Sequence, residues 1–113
     1  MICDFADVVV VPFPFVDHPI SKTRPALVIS NRDFNAANNN TVFAMITTAA
    51  QSSWPSDIVI TDEPAAGIKH RSVVRWKLFT LPNALILRKI GELHATDRSA
   101  VNRGIGAFGP KPE

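Results

Sequence analysis

Cysteine and long hydrophobic runs are nearly missing from this sequence of 113 residues. The single cysteine, Cys3, excludes an internal disulfide bond. No apolar run approaches the roughly 20 residues that a helix needs to cross a bilayer, so no membrane span is expected. The opening residues, MICDFADVVVV, lack the basic segment that precedes a secretory hydrophobic region. These absences favour a cytoplasmic protein.

Recognisable metal and phosphate motifs are missing as well. The three histidines (His18, His70 and His94) are far apart, and the sequence contains neither an HxxxH nor a CxxC pair. It also has no glycine-rich phosphate loop of standard spacing and no recognisable pair of carboxylates for acid and base work. The sequence therefore predicts neither a metal site nor a cofactor.

Negative charge is absent from one long stretch of the chain. No Asp or Glu lies between Glu63 and Glu92, although the net charge of the whole chain is only +2. The stretch holds half of the basic side chains, namely Lys69, Arg71, Arg75, Lys77, Arg88 and Lys89. Such a segment could attract an anion such as nucleic acid, or it could be an ordinary solvated surface. Composition alone leaves both interpretations open.

Short apolar runs rich in β-branched residues predict most of the secondary structure. Predicted strands cover residues 8–11, 26–29, 41–46, 58–60 and 72–81, and a turn followed by a strand is predicted for residues 84–93. Residues 31–40 favour turns, and residues 62–70 are predicted to form a loop.

The remaining part of the chain predicts a C-terminal helix. Thr96 can cap a helix in which Val101, Ile105 and Phe108 recur at helical spacing. Together, the elements predict a single domain over residues 1–113 with a mainly β fold. We expect a small SH3-like barrel with one or two short helices, including the C-terminal helix.

Arg24 and Thr47 are the residues with the clearest chemical potential. Arg24 precedes Pro25 at the start of a predicted strand, and its five fixed N–H donors suit a phosphate group. Thr47 ends a predicted strand, where its hydroxyl could bind an oxyanion. Each also has an ordinary explanation, since exposed arginines and strand-end threonines are common.

Five segments in this order resemble the MazF/PemK family of toxins from type II toxin-antitoxin systems. The segments are DVVVVPFPFVD, SKTRPALVISNRDFN, TVFAMITTA, SVVRWKLFTL and LILRKIGEL, and the likeness runs from about residue 6 to residue 93. The resemblance implies the SH3-like barrel and a sequence-selective endoribonuclease of the mRNA interferase kind. It also implies a homodimer that a cognate antitoxin holds inactive.

The resemblance also assigns roles to residues. The family's catalytic arginine falls on Arg24 and its catalytic threonine or serine on Thr47. The implied reaction is metal-independent attack of a ribose 2′-hydroxyl on the neighbouring phosphorus of single-stranded RNA. The expected RNA-binding residues are Phe15, His18, Lys22 and Thr48, and His18 is a hypothetical proton acceptor because histidine titrates near neutral pH.

Two departures from the family pattern and two rival interpretations remain. Ala6 replaces a glycine that is usual in the family, which matters only if that backbone needs positive φ. The tail after Leu93 is short and contains glycine, so we expect a helix that supports the dimer elsewhere in the family to be reduced in this chain. One rival is a non-catalytic binding protein on the same barrel, such as a gyrase poison or an inactive toxin. The other is a nucleic-acid-binding regulator that uses the basic stretch.

Overall fold

The computed structural model describes residues 1–13, 22–48 and 52–112. Within them the chain forms six strands, three α-helices and one 3₁₀ turn at Asn83–Leu85. The strands are β1 (Asp7–Phe13), β2 (Lys22–Val28), β3 (Asn40–Thr47), β4 (Ile58–Val59), β5 (Val73–Pro82) and β6 (Arg88–Glu92). The helices are α1 (Arg32–Asn38), α2 (Glu63–Ala66) and α3 (Ala95–Phe108).

The strands form one antiparallel sheet in the order β4-β5-β3-β2-β1-β6. Helix α2 follows β4 at one edge of the sheet and contacts β6 at the other edge. The sheet is therefore curled so that its two edges approach one another across α2. This confirms the predicted mainly β, barrel-like fold with a C-terminal helix.

Both faces of the curled sheet are covered, which explains the uninterrupted apolar run in β1. Val8 packs in one buried cluster, while Val9 and Val11 pack in a second one. This alternation follows from the two-residue period of a strand. All three valines are fully buried.

Strands β1 and β2 pair in antiparallel fashion, with Val8 opposite Leu27 and Phe13 opposite Lys22. Strand β2 begins four residues before its apolar part, because pairing with β1 continues through the polar residues. The ladder between β2 and β3 includes Ala26 but not Pro25. Proline has no backbone N–H to donate to such a ladder.

The prediction of turns over residues 31–40 is wrong, because helix α1 occupies most of this segment. The Asn31 side chain accepts a hydrogen bond from the Phe34 backbone N–H at 2.9 Å, which caps the helix. Asn35 is fully buried, and its amide donates to the carbonyl oxygens of Cys3 and Ser30. Asn39 ends the helix in the left-handed conformation. The asparagines thus act as caps and as a buried bridge.

The predicted loop over residues 62–70 is likewise partly helical. Asp62 caps α2 by accepting a hydrogen bond from the Ala65 backbone N–H at 3.0 Å. Pro64 lies in the first turn, where a backbone N–H has no partner within the helix, so its missing N–H breaks no hydrogen bond. Gly67 ends the helix with φ of 72°.

The C-terminal helix is confirmed, but it starts earlier than predicted. The His94 side chain caps α3, so Thr96 lies within the first turn. Val101 is fully buried, whereas Phe108 is half exposed and contacts Trp76 at a ring-centroid distance of 5.1 Å. No helix in the described part of the chain is long and apolar enough to span a bilayer.

Ala6 adopts the left-handed conformation, with φ of 77°. The position where the family usually has glycine therefore does require positive φ. An L-residue with a side chain loses roughly 1–2 kcal/mol in this conformation. Ala6 is also buried in the same cluster as Val8, so its methyl group contributes packing in return.

Candidate functional site

A cavity of about 290 Å³ opens where the ends of β2 and β3 meet the segment 67–72. Val10, Pro25 and Ile46 contribute apolar surface. Ile68, in the segment after α2, and Ile90, in β6, contribute further apolar surface. The remaining described lining residues are polar or basic, apart from Gly67. The cavity thus combines apolar surface with side chains that donate hydrogen bonds.

Arg24 and Thr47 both line this cavity. They come from neighbouring strands, whose register sets Ala26 opposite Met45 and Leu27 opposite Ala44. The ladder between these strands ends at Ala26 and Met45, and Arg24 and Thr47 each lie two residues beyond it. The two neighbouring strands thus bring residues separated by 22 intervening positions to one cavity.

Arg24 is exposed, and its guanidinium carbon lies 4.9 Å from the centre of the Phe13 ring. This is a cation–π distance. Phe13 ends β1, so the contact links Arg24 to the neighbouring strand. The ring contact supports the long side chain of Arg24, which has no acidic partner among the described residues.

Thr47 is the last residue of β3 and pairs with Val73 of β5. Its hydroxyl donates to the Thr48 carbonyl oxygen at 3.4 Å, which is long for an O–H···O bond. So weak a bond allows the hydroxyl to turn towards another acceptor. Thr48 is exposed and lines the same cavity.

Three of the described residues that border the cavity are Arg or Lys, namely Arg24, Lys69 and Arg88. None of them forms a salt bridge within the described residues. No Asp or Glu is among the described residues that line the cavity. These charges therefore create a positive potential that favours an anionic ligand.

Two other cations of the basic stretch have acidic partners. Arg75 binds Asp57 at 2.8 Å, while Lys89 binds Asp7 at 3.1 Å and Glu92 at 2.6 Å. The hydrogen bond from Arg75 lowers the pKa of Asp57, and that from Lys89 lowers the pKa of Glu92. The hydrogen bond to Glu92, followed by that to Asp7, raises the pKa of Lys89. The stretch thus contains structural ion pairs as well as cavity cations.

The segment that carries Lys69 and His70 is held close to β6 by a glycine. A Cβ atom at Gly67 would lie 2.0 Å from the Ile90 carbonyl oxygen, so only glycine fits this approach. Farther along, the buried Ser72 donates its hydroxyl to the His70 carbonyl oxygen at 2.9 Å. Residues 68–70 are therefore fixed at both ends beside the cavity.

The residues predicted from the sequence have different positions relative to this cavity. Arg24, Thr47 and Thr48 line it, whereas Lys22 is exposed opposite Phe13 and is not among the described lining residues. The other two predicted RNA-binding residues, Phe15 and His18, lie outside the described residues.

The cavity also includes residues to which the sequence assigned no role: Lys69, His70, Ser72 and Arg88. The stretch without acidic residues was the available signal, but it did not separate these side chains from Arg75 and Lys89. Among residues 1–13, 22–48 and 52–112, no three or more His, Cys, Asp or Glu side chains are grouped so that they could hold a metal ion.

Residues 4–108 match the family model described as "PemK-like, MazF-like toxin of type II toxin-antitoxin system". Among curated proteins, none has a sequence that matches this chain significantly. Several solved structures, by contrast, are similar to this chain in fold.

The crystal structure of MazE-MazF (Form-II) from Deinococcus radiodurans is 16% identical, with 96% of this chain and 95% of that chain covered and a TM-score of 0.73. A mycobacterial endoribonuclease in complex with its cognate antitoxin is also 16% identical, with 98% of each chain covered and a TM-score of 0.73. The Mycobacterium tuberculosis toxin MazF-mt6 is 22% identical, with 89% of this chain and 93% of that chain covered and a TM-score of 0.69. At these identities the likeness demonstrates a shared fold.

Proposed function

The chain belongs to the family of PemK-like, MazF-like toxins of type II toxin-antitoxin systems, and from this premise we propose that it is a sequence-selective endoribonuclease of single-stranded RNA. One observation carries the proposal. Arg24 and Thr47 border a single cavity together with two further cations and, among its described residues, no carboxylate. Such a site suits a phosphodiester, which brings its own negative charge.

The proposed reaction is metal-independent attack of a ribose 2′-hydroxyl on the adjacent phosphorus. It leaves a cyclic phosphate on one fragment and a free 5′-hydroxyl on the other. Arg24 binds the non-bridging phosphate oxygens, whose charge increases in the transition state, and Thr47 adds a hydrogen bond. Arg24 can also donate a hydrogen bond to the departing 5′-oxygen. Neither side chain is a suitable proton acceptor, since a guanidinium offers only N–H donors and threonine is a neutral alcohol.

The substrate is single-stranded because the grooves of an RNA duplex hide the base edges that a protein would read. We assign RNA binding to Phe15, His18, Lys22 and Thr48, and the cavity adds Lys69 and Arg88. Aromatic side chains would stack on splayed bases, while the cations follow the phosphate backbone.

The proposal includes the partners that the family resemblance implies. Two of the similar solved structures are complexes, one of MazE with MazF and one of an endoribonuclease with its cognate antitoxin. We propose that a cognate antitoxin likewise neutralises this chain, which acts as a homodimer in the cytoplasm. Residues 1–113 act as one toxin domain in this proposal.

The decisive experiment is cleavage of a mixed single-stranded RNA by the purified protein in excess EDTA. We expect cuts with 5′-hydroxyl ends, which a polynucleotide kinase labels without prior phosphatase treatment. Arg24→Ala should cut about 10²–10³-fold more slowly, the usual cost of one lost transition-state donor. Arg103→Ala is the matched control, since Arg103 borders a different groove beside α3, and it should cut at the parent rate.

Other outcomes would contradict the proposal. Equal cutting by Arg24→Ala and the parent would mean a contaminating nuclease or a different active site. No cutting by a folded parent would favour the rival interpretation, a non-catalytic binding protein on the same barrel. Dependence of cutting on added metal ions would contradict the metal-independent mechanism.

A further inference from the structure

The proposed reaction needs a proton acceptor, and one of the described residues that line the cavity is a candidate. His70 lines the cavity with Arg24 and Thr47. It is the only described lining residue with an imidazole, the side chain that most often serves as a general base. We propose that His70 accepts the proton of the ribose 2′-hydroxyl, an inference that rests on the ribonuclease function proposed above. His18, the candidate from the sequence, lies outside the described residues.

The backbone around His70 is well supported, although the residue itself is exposed. Its carbonyl oxygen accepts a hydrogen bond from the Ser72 hydroxyl at 2.9 Å, and the Ser72 carbonyl accepts one from Ile60 N–H at 3.1 Å. On the other side, the Ile68 N–H donates to the Glu63 carbonyl oxygen at 3.0 Å. A general base must lie within hydrogen-bond reach of the proton that it accepts. These backbone hydrogen bonds hold the segment that carries the imidazole beside the cavity. Exposure leaves the imidazole accessible to RNA.

In the described part of the lining, the charged groups that share the cavity with His70 are all cations. They are Arg24 from β2, Lys69 from the same segment and Arg88 from β6. No Asp or Glu is among the described lining residues, so His70 competes with no described carboxylate there. The cations can bind the phosphate and bring the neighbouring ribose to the imidazole.

The step balances without any co-reactant beyond water. An imidazole nitrogen takes the 2′-hydroxyl proton as the 2′-oxygen forms its bond to phosphorus. The bond between phosphorus and the 5′-oxygen breaks, and that oxygen takes a proton from water. The imidazolium then returns its proton to the solvent. Arg24 and Thr47 remain hydrogen-bonded to the phosphate oxygens throughout.

The test is the pH dependence of single-turnover cleavage, measured with excess protein on an end-labelled RNA that contains a mapped site. The parent's rate constant should rise about tenfold per pH unit at acid pH and then level off. His70→Ala should lose this limb and cut at least about 10²-fold more slowly above pH 7. Added imidazole should restore part of the rate in the His70→Ala variant, which a purely structural role would not permit.

Controls separate this inference from the ribonuclease proposal itself. Circular dichroism and thermal unfolding check the fold, and His70→Gln replaces the alanine variant if that variant melts early. An unchanged pH profile in the His70 variant overturns the inference, and loss of the acid limb in His18→Ala would assign the role to that residue instead. In either case, cutting that requires Arg24 keeps the ribonuclease proposal. A parent that does not cut defeats both.

Discussion

Arg24 and Arg75 lie in strands of the same sheet but have different electrostatic environments. This difference determines whether each guanidinium can bind a ligand or serves to hold the fold. Arg24 is exposed and forms no salt bridge within the described residues, so its charge is available to a ligand. Arg75 has only 11% of its side chain exposed and binds Asp57 and the backbone carbonyl of Ser52. Arg75 thereby holds the segment that leads into β4. At the scale of the residue, a cation without a salt-bridge partner can bind an anionic ligand, whereas a cation paired with a carboxylate stabilises the fold.

The Asp57–Arg75 pair predicts a specific dependence of stability on pH. The hydrogen bond from Arg75 holds the pKa of Asp57 below its unfolded value of 3.8. The pair's contribution is therefore complete above pH 3.8 and is lost as the pH falls through the lower folded pKa. Asp57→Asn should reduce the free energy of unfolding at pH 7, and the difference from the parent should narrow towards pH 2. Urea unfolding at several pH values measures this difference.

The control for this prediction is the same substitution in an Arg75→Gln background. Without the guanidinium, Asp57→Asn should produce a difference that changes little with pH. A difference between parent and Asp57→Asn that is equally large at pH 7 and pH 2 would show that the ion pair contributes nothing that depends on protonation.

At the scale of the element, helix α2 and the segment after it decide the shape of the cavity. Gly67 ends α2 with φ of 72° and also permits contact with the backbone of Ile90 in β6. The same short helix connects the two edges of the sheet. A change at Gly67 should therefore affect both stability and the position of Lys69 and His70.

Gly67→Ala should lower the free energy of unfolding by about 1–3 kcal/mol, the usual range for backbone strain of this kind. The new Cβ would also lie 2.0 Å from the Ile90 carbonyl oxygen, so α2 must shift. Gly106→Ala is the matched control, because nothing lies within 4 Å of its added Cβ in α3. That control should gain up to about 1 kcal/mol of helix propensity. Thermal and urea unfolding of both variants give the answer, and equal stability of Gly67→Ala and the parent would refute the tight contact.

Some strands could be predicted from the sequence and helix α1 could not, for physical reasons. The runs that became β1, β3 and β5 were recognisable because β-branched and aromatic residues fit a pleated, buried surface in most contexts. Helix α1 was not recognisable, since its stability depends on distant partners. Asn35 reaches the Cys3 carbonyl, and the Asn83 amide in turn donates to the Asn35 carbonyl at 2.8 Å. Such bridges exist only in the folded chain.

At the scale of the whole molecule, a net charge of +2 conceals a local concentration of positive charge. The sequence showed that residues 64–91 contain no acid, and the folded chain places four of their six cations in two different environments. Arg75 and Lys89 form ion pairs with acids from distant elements, while Lys69 and Arg88 meet Arg24 at the cavity. Pairing across the fold could not be predicted from local sequence. Arg24 and Thr47, by contrast, were singled out by the family resemblance, and both line the cavity; their catalytic roles stay a prediction.

This separation predicts how salt should weaken the proposed binding of RNA. Each contact between a cation and a single-stranded phosphate contributes about 0.7 to the slope of log K against log salt concentration. Lys69→Ala and Arg88→Ala should therefore each reduce the steepness of that slope by about 0.7. Lys77 is exposed in the same basic stretch but does not line the cavity, so Lys77→Ala should leave the slope unchanged. Fluorescence anisotropy with a 2′-O-methyl oligonucleotide, which lacks the attacking hydroxyl, measures binding without cleavage. An equal loss of slope in Lys77→Ala would mean that RNA follows a diffuse basic surface instead of entering the cavity.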